Sequence, residues 1–191
     1  GDVYSLALGA GSDQIADYSP AVGETDVVRF ADVASTGIKA VERQGNDLVL
    51  SYGTKDSLTV QNYFSGPAYQ IEQFRFSNGV TWNEASIKAR VVTQGTDAAD
   101  SFAGYADGIN RIYARGGDDY LTGGDLGDRL DGGSGNDVFY AGYGNDTLTG
   151  GTGHDTLDGG AGADLLGGGA GNDQLSGGEG GDVYSLALGA G

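Results

Sequence analysis

From residue 114 to residue 185 the chain repeats every nine residues, and no other feature constrains its fold as tightly. Eight consecutive nonapeptides read ARGGDDYLT, GGDLGDRLD, GGSGNDVFY, AGYGNDTLT, GGTGHDTLD, GGAGADLLG, GGAGNDQLS and GGEGGDVYS. The sixth position is Asp in all eight: Asp119, Asp128, Asp137, Asp146, Asp155, Asp164, Asp173 and Asp182. The eighth is always large and apolar: Leu121, Leu130, Phe139, Leu148, Leu157, Leu166, Leu175 and Tyr184. Upstream, GTDAADSF at 95–102 keeps Asp100 and Phe102 in those places, and Asn110 and Ile112 take them next with one residue inserted.

Glycines at positions 1, 2 and 4 permit positive φ and tight turns, and leave their carbonyl oxygens unobstructed. Positions 7–9 make a strand with one inward side chain, the apolar residue at position 8. Each nonapeptide is then half a coil, two make a coil of 18 residues, and repeat n stacks on repeat n+2. Asp119, Asp137, Asp155 and Asp173 should line one edge, and Asp128, Asp146, Asp164 and Asp182 the other. Stacked carboxylates repel unless a cation lies between them. Carboxylates and carbonyls are hard oxygen ligands; with no Cys and only His154, Ca²⁺ suits them better than Zn²⁺, and a carbonyl-rich cage suits it better than Mg²⁺. The eight Asp make six sandwiched sites and the degenerate ends add one or two, for about six to eight ions. The position 2 and 4 carbonyls, those of Gly133, Gly135, Gly142, Gly144, Gly151, Gly153, Gly160, Gly162, Gly169 and Gly171, are expected to complete them. Asp100 and Asp13 are further candidate ligands. Leu126 at position 4 and the neutral Asn110 should weaken the early turns.

The composition follows the repeat. Residues 95–191 hold 29 of the 38 Gly, 16 acidic residues and 3 basic ones, a net of −13 within a total of −17. Without metal, that charge and that much Gly should keep this half unfolded. The same charge argues against nucleic acid or an anionic membrane as partner. No apolar run is long enough to span a bilayer, and the first residues lack a signal-peptide pattern. A longer period encloses the short one: GDVYSLALGAG at 1–11 is identical to 181–191. This is expected of a piece of a larger protein built from tandem 180-residue units, whose neighbouring units would be partners.

Residues 24–94 read differently. Strands are expected at 26–30, 41–44, 48–52, 58–64, 69–76 and 80–82. Gly45-Asn46 marks a hairpin turn, and Asn83 should cap a helix over 84–90. Trp82, Tyr63 and Phe64 are expected in the core of a small β cap rather than on a sugar-binding platform, and His154 on the surface. No Ser/His/Asp set, HExxH, Walker loop or isolated carboxylate pair stands out, so no enzyme is expected.

The nonapeptides resemble the RTX (repeat-in-toxin, haemolysin-type calcium-binding) repeats. GNDLVLSYGTKDSLTVQNYF with YQIEQFRFSNGVTW resembles the haemolysin-type calcium-binding-related module. GAGSDQI at 9–15 looks like a last, stretched repeat of a preceding block. The resemblance implies an all-β fold: a right-handed parallel β-roll at 95–191, preceded by a β-rich cap module with one short helix at 24–94 and the end of an earlier roll at 1–23. It also implies a structural module of a large bacterial protein, an adhesin, surface-layer protein or toxin, that leaves the cell by type I secretion and folds outside on Ca²⁺. A calcium-dependent carbohydrate-binding module, or a noncatalytic module of a secreted enzyme, is the alternative; nothing in the residues supports a glycan ligand.

Overall fold

The computed structural model describes residues 1–19 and 23–185; the second copy of LALGAG, at 186–191, lies outside the described residues. The chain divides into two compact units, Gly1–Val91 and Val92–Gly191.

The first unit holds β1 (Val3–Leu6), β2 (Ser12–Ile15), β3 (Val27–Phe30), β4 (Ile38–Gln44), β5 (Asp47–Tyr52), β6 (Asp56–Val60), β7 (Gln73–Arg75), β8 (Thr81–Trp82) and helix α1 (Glu84–Lys88). Strict alternation in β5 and β6 buries Leu48, Leu50, Tyr52, Leu58 and Val60, so β4, β5 and β6 form an antiparallel meander. Gly45, at φ 60°, makes the tight turn between β4 and β5. β2 joins β6 in parallel. A second sheet runs β1–β3–β7 in parallel, with β8 antiparallel on its edge. Phe30 stacks on Phe76 with centroids 5.0 Å apart, and Phe76 meets Trp82 edge-on at 4.7 Å. Trp82 and Tyr63 are buried, as core residues of this unit.

Three elements are shorter than their patterns suggest. The strand expected to reach residue 64 stops at Val60. Asn62 turns the chain at φ 58°, its N–H held by Asp47 Oδ1 at 2.7 Å, and Tyr63–Ser65 is a single 3₁₀ turn. Pro67, with its fixed φ, opens another such turn, so the strand expected from residue 69 is confined to Gln73–Arg75. The helix ends at Lys88, which pairs with Glu84 at 3.1 Å; Asn83 caps it by accepting the Ser86 N–H at 3.0 Å.

The second unit holds β9 (Val92–Gln94), β10 (Ser101–Ala103), β11 (Arg111–Tyr113), β12 (Tyr120–Gly124), β13 (Arg129–Ser134), β14 (Val138–Gly142), β15 (Thr147–Thr152), β16 (Thr156–Asp158), β17 (Leu165–Ala170), β18 (Gln174–Ser176) and β19 (Val183–Ser185). Every pairing among them is parallel. Odd and even repeats separate into two sheets, β10–β12–β14–β16–β18 and β9–β11–β13–β15–β17–β19. The registers Leu130↔Leu148, Leu148↔Leu166 and Leu166↔Tyr184 show the 18-residue coil. Between the sheets lies a single file of apolar side chains, from Phe102 and Ile112 through Leu166, with Leu175 packed against it. This is a parallel β-roll preceded by a small β-rich module with one short helix.

The strands of the roll run further than positions 7–9. β13, β15 and β17 each continue through position 3, so a second residue, at position 1, also faces inward. That position holds only Gly or Ala: Ala114 and Ala141 are fully buried, and Gly132 is buried too.

Leu148 sits in the middle of the file at 1% exposure. Leu148→Ala is expected to lower the stability of the calcium-loaded roll by about 2–5 kcal/mol in denaturant titration. Thr147→Ala on the outer face should stay within about 0.5 kcal/mol.

Candidate metal centres

Each position-6 Asp stands immediately ahead of a strand, and its two carboxylate oxygens have different fates. One is pinned by the main chain of the preceding coil. Asp137 Oδ1 accepts the Asp119 N–H at 2.9 Å, Asp155 Oδ1 that of Asp137 at 2.9 Å, and Asp173 Oδ1 that of Asp155 at 3.1 Å. On the other edge Asp146 Oδ1 accepts from Asp128 at 2.6 Å, Asp164 Oδ1 from Asp146 at 2.8 Å, and Asp182 Oδ1 from Asp164 at 3.0 Å. The eight Asp therefore stand in two columns. Asp100 continues the first downward, giving its N–H to Asp119 Oδ1 at 2.7 Å, while its own carboxylate is held by the N–H and hydroxyl of Thr96.

In five of the eight the other oxygen has no donor. Oδ2 of Asp119, Asp137, Asp146, Asp155 and Asp164 is buried without a hydrogen-bond partner. Around it lie more acceptors. The point where a Cβ would stand on Gly132 is shared by Asp137 Oδ2 and the Gly150 carbonyl; at Gly150 it is shared by Asp155 Oδ2 and the Gly168 carbonyl, and at Gly159 by Asp164 Oδ2 and the Gly177 carbonyl. Position 1 is glycine here because this space belongs to oxygens, and not because of its dihedral angle. Positive φ is confined to positions 2 and 4, as at Gly151 (113°) and Gly153 (134°), which corrects the expectation for position 1. A negatively charged oxygen facing a carbonyl, buried and without a donor, is stable only with a cation or a proton. Among the described residues no three acidic or imidazole side chains converge. A cation here would meet one carboxylate per coil in each column together with main-chain carbonyls, a donor set that fits Ca²⁺.

The expected carbonyl donors divide into two kinds. Position-2 carbonyls take ladder bonds: Gly142 O accepts from Ala161 at 2.8 Å and Gly160 O from Glu179 at 2.7 Å. Position-4 carbonyls aim at the next coil, since a Cβ on Gly153 would strike Gly135 O and one on Gly171 would strike Gly153 O. Position-1 carbonyls, which lie beside Oδ2, were not foreseen, although the small-residue rule at position 1 signals them.

Two residues of the sequence-derived set stand apart. Asp128 is satisfied without metal: its Oδ2 accepts the Gly124 N–H at 2.8 Å and the Asn110 amide at 3.2 Å. The Asn110 side chain thus fills the place of a cation at the start of that column. Asp13 lies in β2, outside both columns, with a buried, unpartnered Oδ2. Burial is the main cause that raises the Tyr52 hydroxyl pKa, with Asp13 next.

Position 5 builds an outer ladder that the sequence reading assigned no role. Asp118 Oδ1 accepts the Asn136 N–H at 2.7 Å, Asn136 Oδ1 that of His154 at 2.9 Å, and His154 Nδ1 that of Asn172 at 3.0 Å. His154 is exposed and serves as one acceptor in this series.

Burial raises Asp137, Asp146 and Asp155 from 3.8 to about 6; the main-chain N–H opposes the shift and the neighbouring column carboxylate adds to it. Each such shift disfavours the charged form by on the order of 3 kcal/mol. A carboxyl raised on folding favours the fold while it is protonated. That contribution is whole below the unfolded value of 3.8 and is lost as pH rises through about 6. In chelator, the roll is expected to keep more β structure at about pH 4.5 than at about pH 7.5 by far-ultraviolet circular dichroism. Calcium requires the ionised carboxylate, so its apparent affinity should weaken as pH falls below about 6.

Column position also predicts unequal substitutions. Asp155→Asn, at an orphaned oxygen, is expected to remove at least one bound Ca²⁺ per chain and to lower the cooperativity of calcium titration. Asp128→Asn should leave both unchanged in titration calorimetry.

Residues 47–86 match the haemolysin-type calcium binding protein related domain. Four overlapping copies of the RTX calcium-binding nonapeptide repeat match residues 94–130, 104–139, 122–157 and 149–184. The iron-regulated protein FrpA of Neisseria meningitidis serogroup C is 41% identical over 111 residues, a stretch covering 55% of this chain and 10% of that protein. The chain thus spans about a tenth of that relative's length. No helix among the described residues is long and apolar enough to cross a membrane. The chain is a calcium-binding repeat protein of the RTX family, with a haemolysin-type calcium-binding-related domain ahead of its nonapeptide repeats.

Proposed function

We propose that this chain is a noncatalytic structural module of a large secreted bacterial repeat protein, and that it folds when Ca²⁺ binds outside the cell. The observation that carries the reading is the set of buried, donorless Oδ2 atoms at Asp119, Asp137, Asp146, Asp155 and Asp164. Those residues, with Asp173 and Asp182 at the later coils, would hold the ions. Carbonyls at positions 1, 2 and 4 would complete each coordination shell. Bound calcium supplies positive charge between coils that otherwise repel one another.

Charge arithmetic supports the reading. About six ions, carrying +12, would reduce the formal −17 to −5. Affinity per site is expected on the order of 10⁻⁴–10⁻³ M, as for extracellular modules. A chain that stays unfolded where calcium is scarce can be exported as a thread and then fold where calcium is abundant. For such a site, binding energy is folding energy. The resemblance to RTX repeats supports type I secretion as the route. Neighbouring units of the same protein are the partners suggested by the identical segments at 1–11 and 181–191.

Circular dichroism tests the reading. In chelator at neutral pH the spectrum should be mostly coil, and millimolar Ca²⁺ should bring in β signal cooperatively, while Mg²⁺ at the same concentration does not. Equal β content with chelator and with calcium would overturn it.

A further inference from the structure

The first unit contains a pattern that its sequence conceals. Ahead of β1, β3 and β7 stand Asp2, Asp26 and Glu72, each followed two residues later by the strand's inward residue, Tyr4, Val28 and Phe74. Asp26 Oδ1 accepts the Asp2 N–H at 2.6 Å, and Glu72 Oε2 accepts the Asp26 N–H at 2.6 Å. This is the same coil-to-coil link that joins the Asp columns of the roll. It lacks their period: 24 residues separate the first pair and 46 the second.

Asp26 reproduces the other half of the pattern as well. It is 1% exposed, and its Oδ2 is buried without a hydrogen-bond partner. A second carboxylate faces it. Asp17 Oδ2 is likewise buried and without a partner, and the Asp17 pKa is raised by its own burial first and by Asp26 next. Tyr4 lies beside them, its hydroxyl pKa raised first by burial and then by Asp17, Asp2 and Asp26. No Lys, Arg or His side chain among the described residues makes an ion pair with either carboxylate. Two facing carboxylates, one wholly buried, are strongly unfavourable unless a cation or a proton joins them.

We propose that Asp17 and Asp26 hold a calcium ion in the first unit, at a site outside the nonapeptide repeats. As in the roll, no third acidic side chain joins them, so main-chain carbonyls and water would complete the shell. The ion would tie the segment after β2 to the start of β3, just as the roll ions tie one coil to the next. The site stands on its own residues and does not depend on the reading of the roll.

The experiment uses the full chain, stripped with chelator and titrated with CaCl₂. Stoichiometry is read by calorimetry, and local protection by hydrogen exchange with mass spectrometry. In the parent chain, Ca²⁺ should slow exchange in β1 and β3 as well as in residues 114–185. Asp17→Asn should bind one ion fewer per chain and lose the calcium-dependent protection of β1 and β3, with that of 114–185 retained. Asp26→Asn should do the same; if its buried change prevents folding, the half-buried Asp17 still decides the matter. Unchanged stoichiometry and unchanged β1–β3 protection in Asp17→Asn would overturn the site, and would be the result if the pair merely shares a proton. Calcium protection confined to β1 and β3 would leave this site standing and refute calcium-driven folding of the roll.

Discussion

The roll depends on one unequal division of labour within a carboxylate. Oδ1 of each position-6 Asp ties down the N–H of the residue that stands ahead of the strand one coil earlier, an Asp in every case but Asn110, so the side chain is part of the backbone ladder and cannot swing into solvent. In Asp119, Asp137, Asp146, Asp155 and Asp164, Oδ2 is thereby left buried without a donor. Each coil of 18 residues contributes only two large apolar residues, one per nonapeptide, to a narrow core. Such a core is too thin to offset several buried, unpaired charges. In the proposed reading the metal therefore decides whether this half of the chain folds at all.

Glycine serves that arrangement in two distinct ways. At positions 2 and 4 it supplies backbone angles that other residues resist, and the carbonyls of one coil come close beneath the Cα atoms of the next. At position 1 it supplies volume, because a Cβ on Gly132, Gly150 or Gly159 would already take the space of Oδ2 and the facing carbonyl. The early turns show what happens when the pattern relaxes. Leu126 occupies position 4 and is exposed, Gly124 donates to Asp128, and Asn110 adds its amide. Neutral donors there do by hydrogen bonding what later turns leave undone.

The first unit follows a related logic on an irregular frame. Its parallel strands β1, β3 and β7 are linked through Asp26 and Glu72 as roll coils are through Asp, but an antiparallel meander and three 3₁₀ turns are inserted between them. The meander was legible as alternation and a Gly45-Asn46 turn. The acidic link was not, because contacts across 24 and 46 residues leave no period to detect.

By itself the sequence determined the coil length, the two Asp columns and the inward file, since a nine-residue period with Asp at 6 and an apolar residue at 8 permits one stacking. It also carried the kind of ligand, hard oxygen, through the absence of Cys and the excess of Asp. Only the tertiary structure decided which oxygens are left bare. Asp128 and Asp146 are identical in the repeat, yet the Oδ2 of one meets the Asn110 amide and that of the other meets no donor. The pairing of Asp17 with Asp26 was likewise decided in three dimensions. Whether a carboxylate oxygen is satisfied depends on donors brought within about 3 Å by folding, and that distance is not written in residue spacing.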